Sequence, residues 1–392
     1  MEKVIDKNKC TGCSACINIC PNHAIEMIED ECGFKHPIIN KSKCINCGLC
    51  KKTCPVLNTK ENKSLNECYV GYNKNAKVKE NSSSGGIFDA IAKIILTENG
   101  IVIGAAFTEN MELKHIAIDN LDDLEKLKGS KYLQSNLENI FLYIKEQLKI
   151  RKVLFVGTPC QVAGLHTYLK KEYDNLVLID LFCHGVPSPK MFNKYLNELE
   201  DINNSKVIKY NFRDKRTGWD AYSTTAKFAN NKIISQLQKN NDYMRLFLSD
   251  IGLRESCYSC NFKLGNKYSD ITLGDFWGVK DCYPEMYNEK GVSAIIINTE
   301  KGSKLFSLIN NKLEYKKCNL NEIILGNPSL IKSSIMPKKR NIFFVELNDN
   351  TAFNKLVKKY CKKNRLYNKV INKIKRIVKR VFKNKKNIYT RD

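Results

Sequence analysis

Apolar residues along this chain fall into short runs that alternate with longer amphipathic segments. Four runs bounded by polar or turn residues are typical of buried strands, namely residues 101–107, 152–156, 176–182 and 292–298. Other segments repeat apolar side chains at helical spacing, and they predict helices over residues 87–97, 137–149, 160–171, 189–200 and 301–312. Strands and helices that alternate in this way predict an α/β domain, which we expect over residues 67–340.

The first 60 residues follow a different pattern, so we expect a separate small domain there. Residues 24–28 and 33–38 alternate apolar and polar side chains around a turn, which predicts a hairpin. A polar stretch over residues 58–66 then predicts a linker to the α/β domain. The chain is therefore expected to fold as at least two units.

The small domain contains one cysteine pattern twice. Each copy has the form C-x2-C-x2-C-x3-C-P, and the two copies comprise Cys10, Cys13, Cys16 and Cys20, then Cys44, Cys47, Cys50 and Cys54. This is the ligand spacing of a bacterial ferredoxin with two [4Fe–4S] clusters, in which the fourth cysteine of each copy binds the other cluster. Zinc ribbons also use C-x2-C pairs, but they do not need two such runs. The sequence predicts two [4Fe–4S] clusters, with Cys54 completing the first and Cys20 the second.

Composition limits the class of protein further. No apolar run approaches the roughly 18 residues that a membrane-spanning helix needs, and the charged first nine residues lack the apolar stretch of a signal peptide. We therefore expect the 17 cysteines to be metal ligands and free thiols of a cytoplasmic protein, not a disulfide framework. Cys32, outside the doubled pattern, is expected to be a spare thiol.

The net charge of +24 lies mainly in a C-terminal tail. Residues 355–392 contain sixteen Lys and Arg residues and one acid, whereas the preceding 354 residues contain 49 and 40. Apolar residues recur at helical spacing from Phe353 to Phe382, so we expect a basic amphipathic helix within residues 350–388. Such a helix could dock on the α/β domain, bind the anionic inner face of a membrane, or bind an acidic partner or nucleic acid. The near-balanced charge of the other residues argues against a nucleic-acid binder.

Three turns in the α/β domain offer groups that suit a phosphate or a cofactor ring. The Ser/Gly turn over residues 81–86 opens a predicted helix, where free backbone N–H groups can contact a phosphate, although a simple helix cap has the same sequence. Residues 128–132 add a cation and hydroxyls to that anion, or form an ordinary loop. Residues 157–160 follow a predicted strand, at the edge where open α/β sheets bind ligands.

Four more cysteines lie in the α/β domain, at Cys160, Cys183, Cys257 and Cys260. Cys160 begins a predicted helix, where we expect a depressed thiol pKa. The C-x2-C pair at Cys257 and Cys260 alone fits zinc, a redox dithiol or a cluster. Beside a ferredoxin domain, four thiols from three segments favour a third [4Fe–4S] cluster. His184, next to Cys183, is interpreted as a structural neighbour of that site rather than a ligand.

Together these motifs resemble the beta subunit of coenzyme F-420 hydrogenases and dehydrogenases. The resemblance runs from Cys68 to Met336, and it rests on six separated motifs in order: SSGG, GSKYLQS, GTPCQVAGL, FCHGVPSP, FRDKRTGW and CYSCNFK…SDITLGDFWG. An N-terminal ferredoxin domain is usual in many members of this family, and FRDKRTGW resembles its bacterial members more than the archaeal hydrogenase subunit.

The resemblance implies FAD, a [4Fe–4S] cluster inside the α/β domain, and hydride exchange between the flavin and the deazaflavin coenzyme or another carrier. Carried onto this chain, it places FAD at Ser84, Gly85, Gly86, Gly129, Ser130, Lys131, Gly157 and Thr158. The fold class expected is α+β, with a βαβ-type ferredoxin domain, a larger α/β flavin-binding domain and a basic C-terminal helix. The function expected is that of an iron–sulfur flavoprotein oxidoreductase in electron transport, which exchanges electrons with a redox partner protein or a small hydride carrier. The alternative is an electron-transfer adaptor subunit of a larger redox complex, without a substrate of its own.

Overall fold

A computed structural model describes residues 2–59, 64–264 and 268–361 of the chain. Its N-terminal part is a small antiparallel sheet of order β1-β3-β2 with two short helices. The elements are β1 (Glu2–Lys3), α1 (Ala15–Asn18), β2 (Ile25–Glu29), β3 (Lys35–Ile39) and α2 (Leu49–Thr53). The hairpin predicted over residues 24–38 is confirmed as β2 and β3.

The larger part is organised around one mixed sheet, which has eight strands in the described residues. The order is β14-β4-β13-β12-β8-β7-β5-β6. The strands are β4 (Glu67–Asn73), β5 (Ile101–Phe107), β6 (Leu113–Ile118), β7 (Val153–Gly157), β8 (Leu176–Leu181), β12 (Ile271–Asp275), β13 (Ser293–Ile297) and β14 (Leu313–Cys318). Strands β5, β7, β8 and β12 are mutually parallel, and antiparallel strands flank them. Their carboxyl ends therefore share one edge of the sheet.

Helices cover this sheet, and a second small sheet lies beside it. The helices are α3 (Ala76–Glu80), α4 (Ile87–Thr97), α5 (Leu124–Leu127), α6 (Ile140–Gln147), α7 (Pro159–Leu169), α8 (Pro189–Asn203), α9 (Asp242–Leu248), α10 (Val279–Cys282), α11 (Glu300–Ile309), α12 (Leu320–Gly326), α13 (Arg340–Asn348) and α14 (Phe353–Tyr360). The second sheet is an antiparallel meander of β9 (Val207–Asp214), β10 (Ser223–Phe228) and β11 (Ile233–Leu237).

The central strands are buried because their side chains are apolar on both faces. All five residues of β13 are buried, as are the first three of β7, which is typical of strands covered by helices on both sides. The nine strands and helices predicted from apolar runs in the α/β region are present, and α4 and β5 have the predicted bounds. The mixed α/β architecture with a small N-terminal domain is therefore confirmed.

The basic tail begins as part of the folded core. In α14, Phe353, Leu356 and Val357 are buried, and the helix packs against α8, α9 and α13. The rest of the predicted amphipathic helix, residues 362–388, lies outside the described residues. Within the described residues, every helix is too short or too polar to cross a membrane.

Candidate metal centres and cofactor cavity

The doubled cysteine pattern folds into two separate groups of sulfur atoms. Cys10, Cys13, Cys16 and Cys54 line one cavity beside α1; we call these four the inner set. The loop between Cys10 and Cys13 turns at Gly12, whose φ of 69° favours glycine. Cys54 comes from the second copy, so the grouping is the crossed arrangement that the spacing predicts.

The remaining four cysteines of the doubled pattern line a second cavity. These are Cys20, Cys44, Cys47 and Cys50, called the outer set. The backbone N–H of Ala24 donates to the Cys20 Sγ at 3.2 Å, and such bonds stabilise thiolate ligands of iron–sulfur clusters. Cys47 is exposed, whereas Cys10, Cys13 and Cys16 of the inner set are buried. The outer set is therefore nearer to solvent.

The third group, Cys160, Cys183, Cys257 and Cys260, also converges from three segments. Cys160 is the second residue of α7, Cys183 follows β8, and the other two lie in and just after a 3-10 helix, Glu255–Ser259. The Cys160 sulfur interacts electrostatically with those of the other three cysteines. The N–H of Phe262 donates to the Cys260 Sγ at 3.4 Å. We call these four the third set.

The spacing of the sulfur atoms discriminates between clusters and single metal ions. A zinc ion binds four thiolates at about 2.3 Å, which brings all the sulfurs close together. Among the described residues, three ligand atoms lie mutually within 4.8 Å only in Asp30, Glu31 and Cys32. No three sulfurs of the inner, outer or third set meet that spacing. The wider arrangement fits a multi-iron cluster better than zinc.

The pKa of Cys160 differs from the sequence-based expectation. Burial raises the pKa of this thiol well above its usual value, and the nearby Cys260 and Cys183 raise it further, while a hydrogen bond with Thr158 only partly offsets them. The prediction of a depressed pKa is therefore wrong, because desolvation outweighs the helix N-terminus. Its ionisation would come from a bound metal, which deprotonates a coordinating thiol.

The inner and third sets are adjacent through α7. Cys13 packs against Gly164 of this helix, so closely that a Cβ built on Gly164 would lie 2.9 Å from the Cys13 Sγ. Gly164 is one helical turn after Cys160, which is about 6 Å along the axis. Cys160 of the third set thus lies in α7, and Cys13 of the inner set packs against the same helix one turn later.

A large cavity lies at the carboxyl ends of β7, β8 and β12. Its volume is about 940 Å³, near the upper end of the range for ligand sites. Cys183 of the third set and the neighbouring His184 are part of its wall. The His184 ring is 2.5 Å from the Asp250 Oδ1, and this contact holds the ring in place, consistent with a structural role.

Seven of the eight residues predicted to contact FAD line this cavity: Ser84, Gly86, Gly129, Ser130, Lys131, Gly157 and Thr158. The N–H of Ser130 donates to the Ser83 Oγ at 2.6 Å, which joins the first two predicted turns. Gly85 is outside the lining: its N–H donates to the Ser293 Oγ at 2.9 Å, and a Cβ there would meet the Gly71 carbonyl oxygen at 2.7 Å. Glycine at this position serves packing behind the wall.

The Lys131 side chain is already engaged within the protein. Its Nζ donates to the carbonyl oxygens of Lys126, Leu127 and Lys128 at 3.2, 2.9 and 2.7 Å, at the end of α5. Burial lowers the pKa of Lys131 to about 7. Lys332 is the cavity cation whose ammonium has no ion pair or hydrogen bond among the described residues.

An ion pair in the cavity wall was not predicted from the sequence. Arg213 and Asp275, from FRDKRTGW and GDFWG, pair at 2.8 Å, and the Trp219 Nε1–H donates to the Asp275 Oδ1 at 2.7 Å. The Trp219 ring stacks on Trp277 with centroids 4.7 Å apart. The Arg213 Nε is buried without a hydrogen-bond partner among the described residues. The two motifs could have drawn attention to Arg213 and Asp275, but their spacing along the chain did not predict that these residues form an ion pair.

Comparison with known proteins agrees with both parts of the chain. Residues 9–58 match the 4Fe-4S dicluster domain, and residues 150–322 match the family described as the C terminus of the coenzyme F420 hydrogenase/dehydrogenase beta subunit. The first match contains the inner and outer sets, and the second contains the third set.

Individual relatives extend the similarity over most of the chain. One subunit of the F(420)H(2) dehydrogenase of Methanosarcina mazei is 25% identical over 337 residues, which are 80% of this chain and 86% of that protein. The coenzyme F420-dependent sulfite reductase of Methanocaldococcus jannaschii is 26% identical over 336 residues, 82% of this chain but 49% of that protein. The F420-reducing [NiFe] hydrogenase complex from Methanosarcina barkeri aligns structurally with a TM-score of 0.47 and 17% identity, over 78% of this chain and 92% of that chain. The chain is thus similar to the 4Fe-4S dicluster domain over residues 9–58 and to the C terminus of coenzyme F420 hydrogenase/dehydrogenase beta subunits over residues 150–322.

Proposed function

We propose that this chain is an iron–sulfur flavoprotein that transfers electrons between a hydride carrier at the large cavity and a redox partner protein at the outer set. The inner, outer and third sets would each hold one [4Fe–4S] cluster, and the cavity would hold FAD. A bound flavin supplies the conversion between two-electron and one-electron steps. The protein supplies the positions of the groups, their hydrogen bonds and their exclusion from water.

The observation that carries the proposal is the position of the third set. Cys183 lies in the wall of the cavity, and Cys160 lies one helical turn from the Gly164 contact with Cys13. Cysteines of the third set thus adjoin the cavity on one side and the inner set on the other. This succession supports an electron route from the cavity to the third, inner and outer sets, in either direction.

The polar groups of the cavity support a phosphate-bearing ligand. Helix α4 begins at Ile87 after the Ser/Gly turn, and its first-turn N–H groups can bind an anion. Lys332 contributes a cation that has no partner among the described residues. The unpaired Arg213 Nε supports a hydrogen-bond acceptor in the same cavity, because buried donors without partners are rare. Lys131 would cap the C-terminus of α5 rather than contact the phosphate.

The outer set supports an exit to another protein. Cys47 is exposed, and the exposed lysines in its neighbourhood along the chain are Lys41, Lys43, Lys51 and Lys52. A basic surface steers an acidic partner and raises the rate of association. We therefore propose a redox partner with an acidic docking face.

The relatives suggest which hydride carrier to test first. The two relatives described above are named for coenzyme F420, so reduced F420 is the first donor and oxidised F420 the first acceptor to assay. One of them is named as a subunit, which favours the alternative of an adaptor that takes electrons from a larger complex. Flavin content separates the two proposals.

The test is anaerobic purification followed by iron, sulfide and flavin analysis. We expect about twelve irons per chain, from three four-iron clusters, and one bound flavin. Cys160→Ser and Cys183→Ser should each lose about four irons, whereas Cys361→Ser, which lies outside all three sets, should lose none. Unchanged iron in both variants would refute the third cluster. A chain that keeps its iron but does not bind flavin on reconstitution would refute the flavoprotein and support the adaptor.

A further inference from the structure

Arg254 is a buried arginine that joins the two parts of the chain. It is 1% exposed and lies three residues before Cys257 of the third set. Its Nε donates to the Cys10 carbonyl oxygen at 2.6 Å, and its Nη2 donates to the Lys35 carbonyl oxygen at 2.9 Å. Its Nη1 donates to the Gln134 Oε1 at 2.8 Å. Each of these three acceptors is neutral.

The guanidinium has no direct counter-ion in the described part of the chain, where no carboxylate lies within 4.0 Å of it. Arg254 is connected to a carboxylate through the His36 ring. The Arg254 Nη2 lies 3.2 Å from the His36 Nδ1, and the His36 Nε2 lies 3.0 Å from the Asp30 Oδ2. Asp30 is itself paired with Lys7 at 3.1 Å. A buried charge without an ion pair is costly, so an anion is expected on another side of the guanidinium.

The side where such an anion fits is the loop of the inner set. A Cβ built on Gly12, between Cys10 and Cys13, would lie 3.0 Å from the Arg254 Nη1 and 3.2 Å from its Cζ. The Arg254 Nε also donates to the carbonyl oxygen of Cys10, at the start of the same loop. The cation therefore lies directly against the loop that carries two cysteines of the inner set.

We propose that Arg254 is the electrostatic partner of the inner cluster and raises its reduction potential above that of the same site without the arginine. This rests on the proposed function only in requiring a [4Fe–4S] cluster at the inner set. Four thiolates give such a cluster a net negative charge, and reduction adds one electron to it. A fixed cation beside the ligand loop favours the reduced form, because net charge and hydrogen bonding set cluster potentials.

The position of Arg254 directs this effect mainly at the inner cluster. Its guanidinium contacts the inner loop, and its backbone carbonyl accepts from the Cys257 N–H at 2.9 Å. The outer set has no described contact with it. The inner cluster should therefore accept an electron from the third set more readily, and the arginine would fix the order in which the clusters are reduced.

Redox titration of the holoprotein, followed by electron paramagnetic resonance, tests the assignment. In Arg254→Gln, the ratio of reduced to oxidised inner cluster at the wild-type midpoint should fall at least tenfold, which is a shift of about 59 mV for one electron. Arg254→Lys keeps the charge, so its ratio should stay within about threefold of wild type. The matched control is Arg340→Gln: Arg340 is 4% exposed and donates to the Leu253 carbonyl oxygen, but it contacts no cysteine of the inner set.

A second variant covers the case in which Arg254→Gln does not hold the inner cluster. Gln134→Glu keeps the arginine but places a carboxylate at its Nη1, so the same midpoint should fall while the midpoint of the outer cluster stays fixed. The assignment is wrong if Gln134→Glu leaves the ratio of reduced to oxidised inner cluster within threefold of wild type, and Arg254→Gln, where it retains its iron, does the same. Equal shifts in Arg340→Gln would also overturn it. If the wild-type protein contains no iron at the inner and outer sets, the proposed function is refuted instead. Iron analysis of the wild-type protein distinguishes this outcome from a wrong assignment of Arg254.

Discussion

Cys13 and Gly164 are in direct contact across the boundary between the small domain and the α/β domain. A Cβ built on Gly164 would lie 2.8 Å from the Cys13 Cβ and 2.9 Å from its Sγ, distances that leave no room for a methyl group. The contact brings a cysteine of the inner set to the helix that begins with Cys160 of the third set. The docking of the domains and the separation of two proposed clusters therefore depend on one glycine.

We expect Gly164→Ala to damage the inner site although alanine is the better helix former. Helix propensity alone would stabilise α7 by about 1 kcal/mol, whereas forcing a methyl group into a filled contact costs about 1–3 kcal/mol. Because Cys13 must move to make room, the purified variant should lose about four irons per chain. Iron analysis and thermal unfolding measure both effects.

The matched control for this substitution is Gly104→Ala. A Cβ at Gly104 would meet the Leu127 side chain at 3.6 Å, which is an ordinary van der Waals contact. This variant should keep its iron and its melting temperature. Wild-type iron in Gly164→Ala would show that the inner loop tolerates displacement, and it would remove the argument for close coupling.

The elements that could be predicted from the sequence are those whose buried apolar residues recur at regular helical or strand spacing. Strand β5 has no polar side chain, and every buried residue of helix α4 except Asp89 is apolar, so their patterns leave little choice. Strand β14 was not predicted because residues 314–317 are exposed and polar, and only its pairing with β4 makes it a strand. In the β9–β11 meander, β11 has no buried residue, and β10 buries the polar residues Ser223, Thr224 and Thr225, so neither strand shows an apolar run.

The cysteine sets could be predicted because ligand spacing is local, but the groups around them could not. Arg254 contacts Cys10 across 244 residues and Gln134 across 120, and no pattern in the chain marks these pairs. Lys131 was predicted to add a cation at a phosphate, but its ammonium binds three carbonyl oxygens. A sequence gives the type of side chain at a turn, whereas its direction depends on the packing around it.

Lys131 should make stability depend on pH in the alkaline range. Burial lowers its pKa to about 7 in the folded protein, and an exposed lysine in the unfolded chain titrates near 10.4. Between these values the unfolded state binds more protons, so stability rises with pH by up to about 1.4 kcal/mol per pH unit. The destabilisation caused by burying Lys131 is greatest below about pH 7, and it disappears as the pH rises to the pKa of this lysine in the unfolded chain.

Denaturant unfolding of wild type and Lys131→Met across this range isolates the effect. The methionine carries no charge, so the difference in unfolding free energy, wild type minus variant, should grow as the pH rises from about 7 to about 10. Lys126→Met is the control, because Lys126 is exposed and pairs with Asp123 at the surface. A constant difference between wild type and Lys131→Met would contradict the lowered pKa.

Helix α14 should contribute to the stability of the core. Leu356 is 0% exposed, and the Phe353 ring lies 5.2 Å from the Tyr195 ring of α8. Truncating a buried leucine typically costs 2–5 kcal/mol, so we expect Leu356→Ala to reduce the unfolding free energy by about that amount. Lys355→Ala changes an exposed neighbour and should be close to neutral. Equal stability of the two variants, measured by circular dichroism during denaturation, would show that α14 is not part of the core.

We expect the basic tail to bind anionic membranes through its charge. Residues 362–392 contain thirteen Lys and Arg residues and one acid, and each basic residue near an anionic surface contributes about 1 kcal/mol. A chain that ends at Cys361 removes this charge and keeps α14, whereas one that ends at Asn350 would also delete the buried Phe353 and Leu356. The cut at Cys361 therefore separates lipid binding from folding.

We expect the full chain to sediment with phosphatidylserine vesicles at low salt and to be released as salt screens the attraction. The chain that ends at Cys361 should stay in the supernatant, and neither protein should bind neutral phosphatidylcholine vesicles. Equal partitioning of the two chains onto anionic vesicles would assign any binding to the folded domains. Binding by the full chain that persists at high salt would point to apolar insertion by the residues that recur between Leu366 and Phe382 instead of electrostatic attraction.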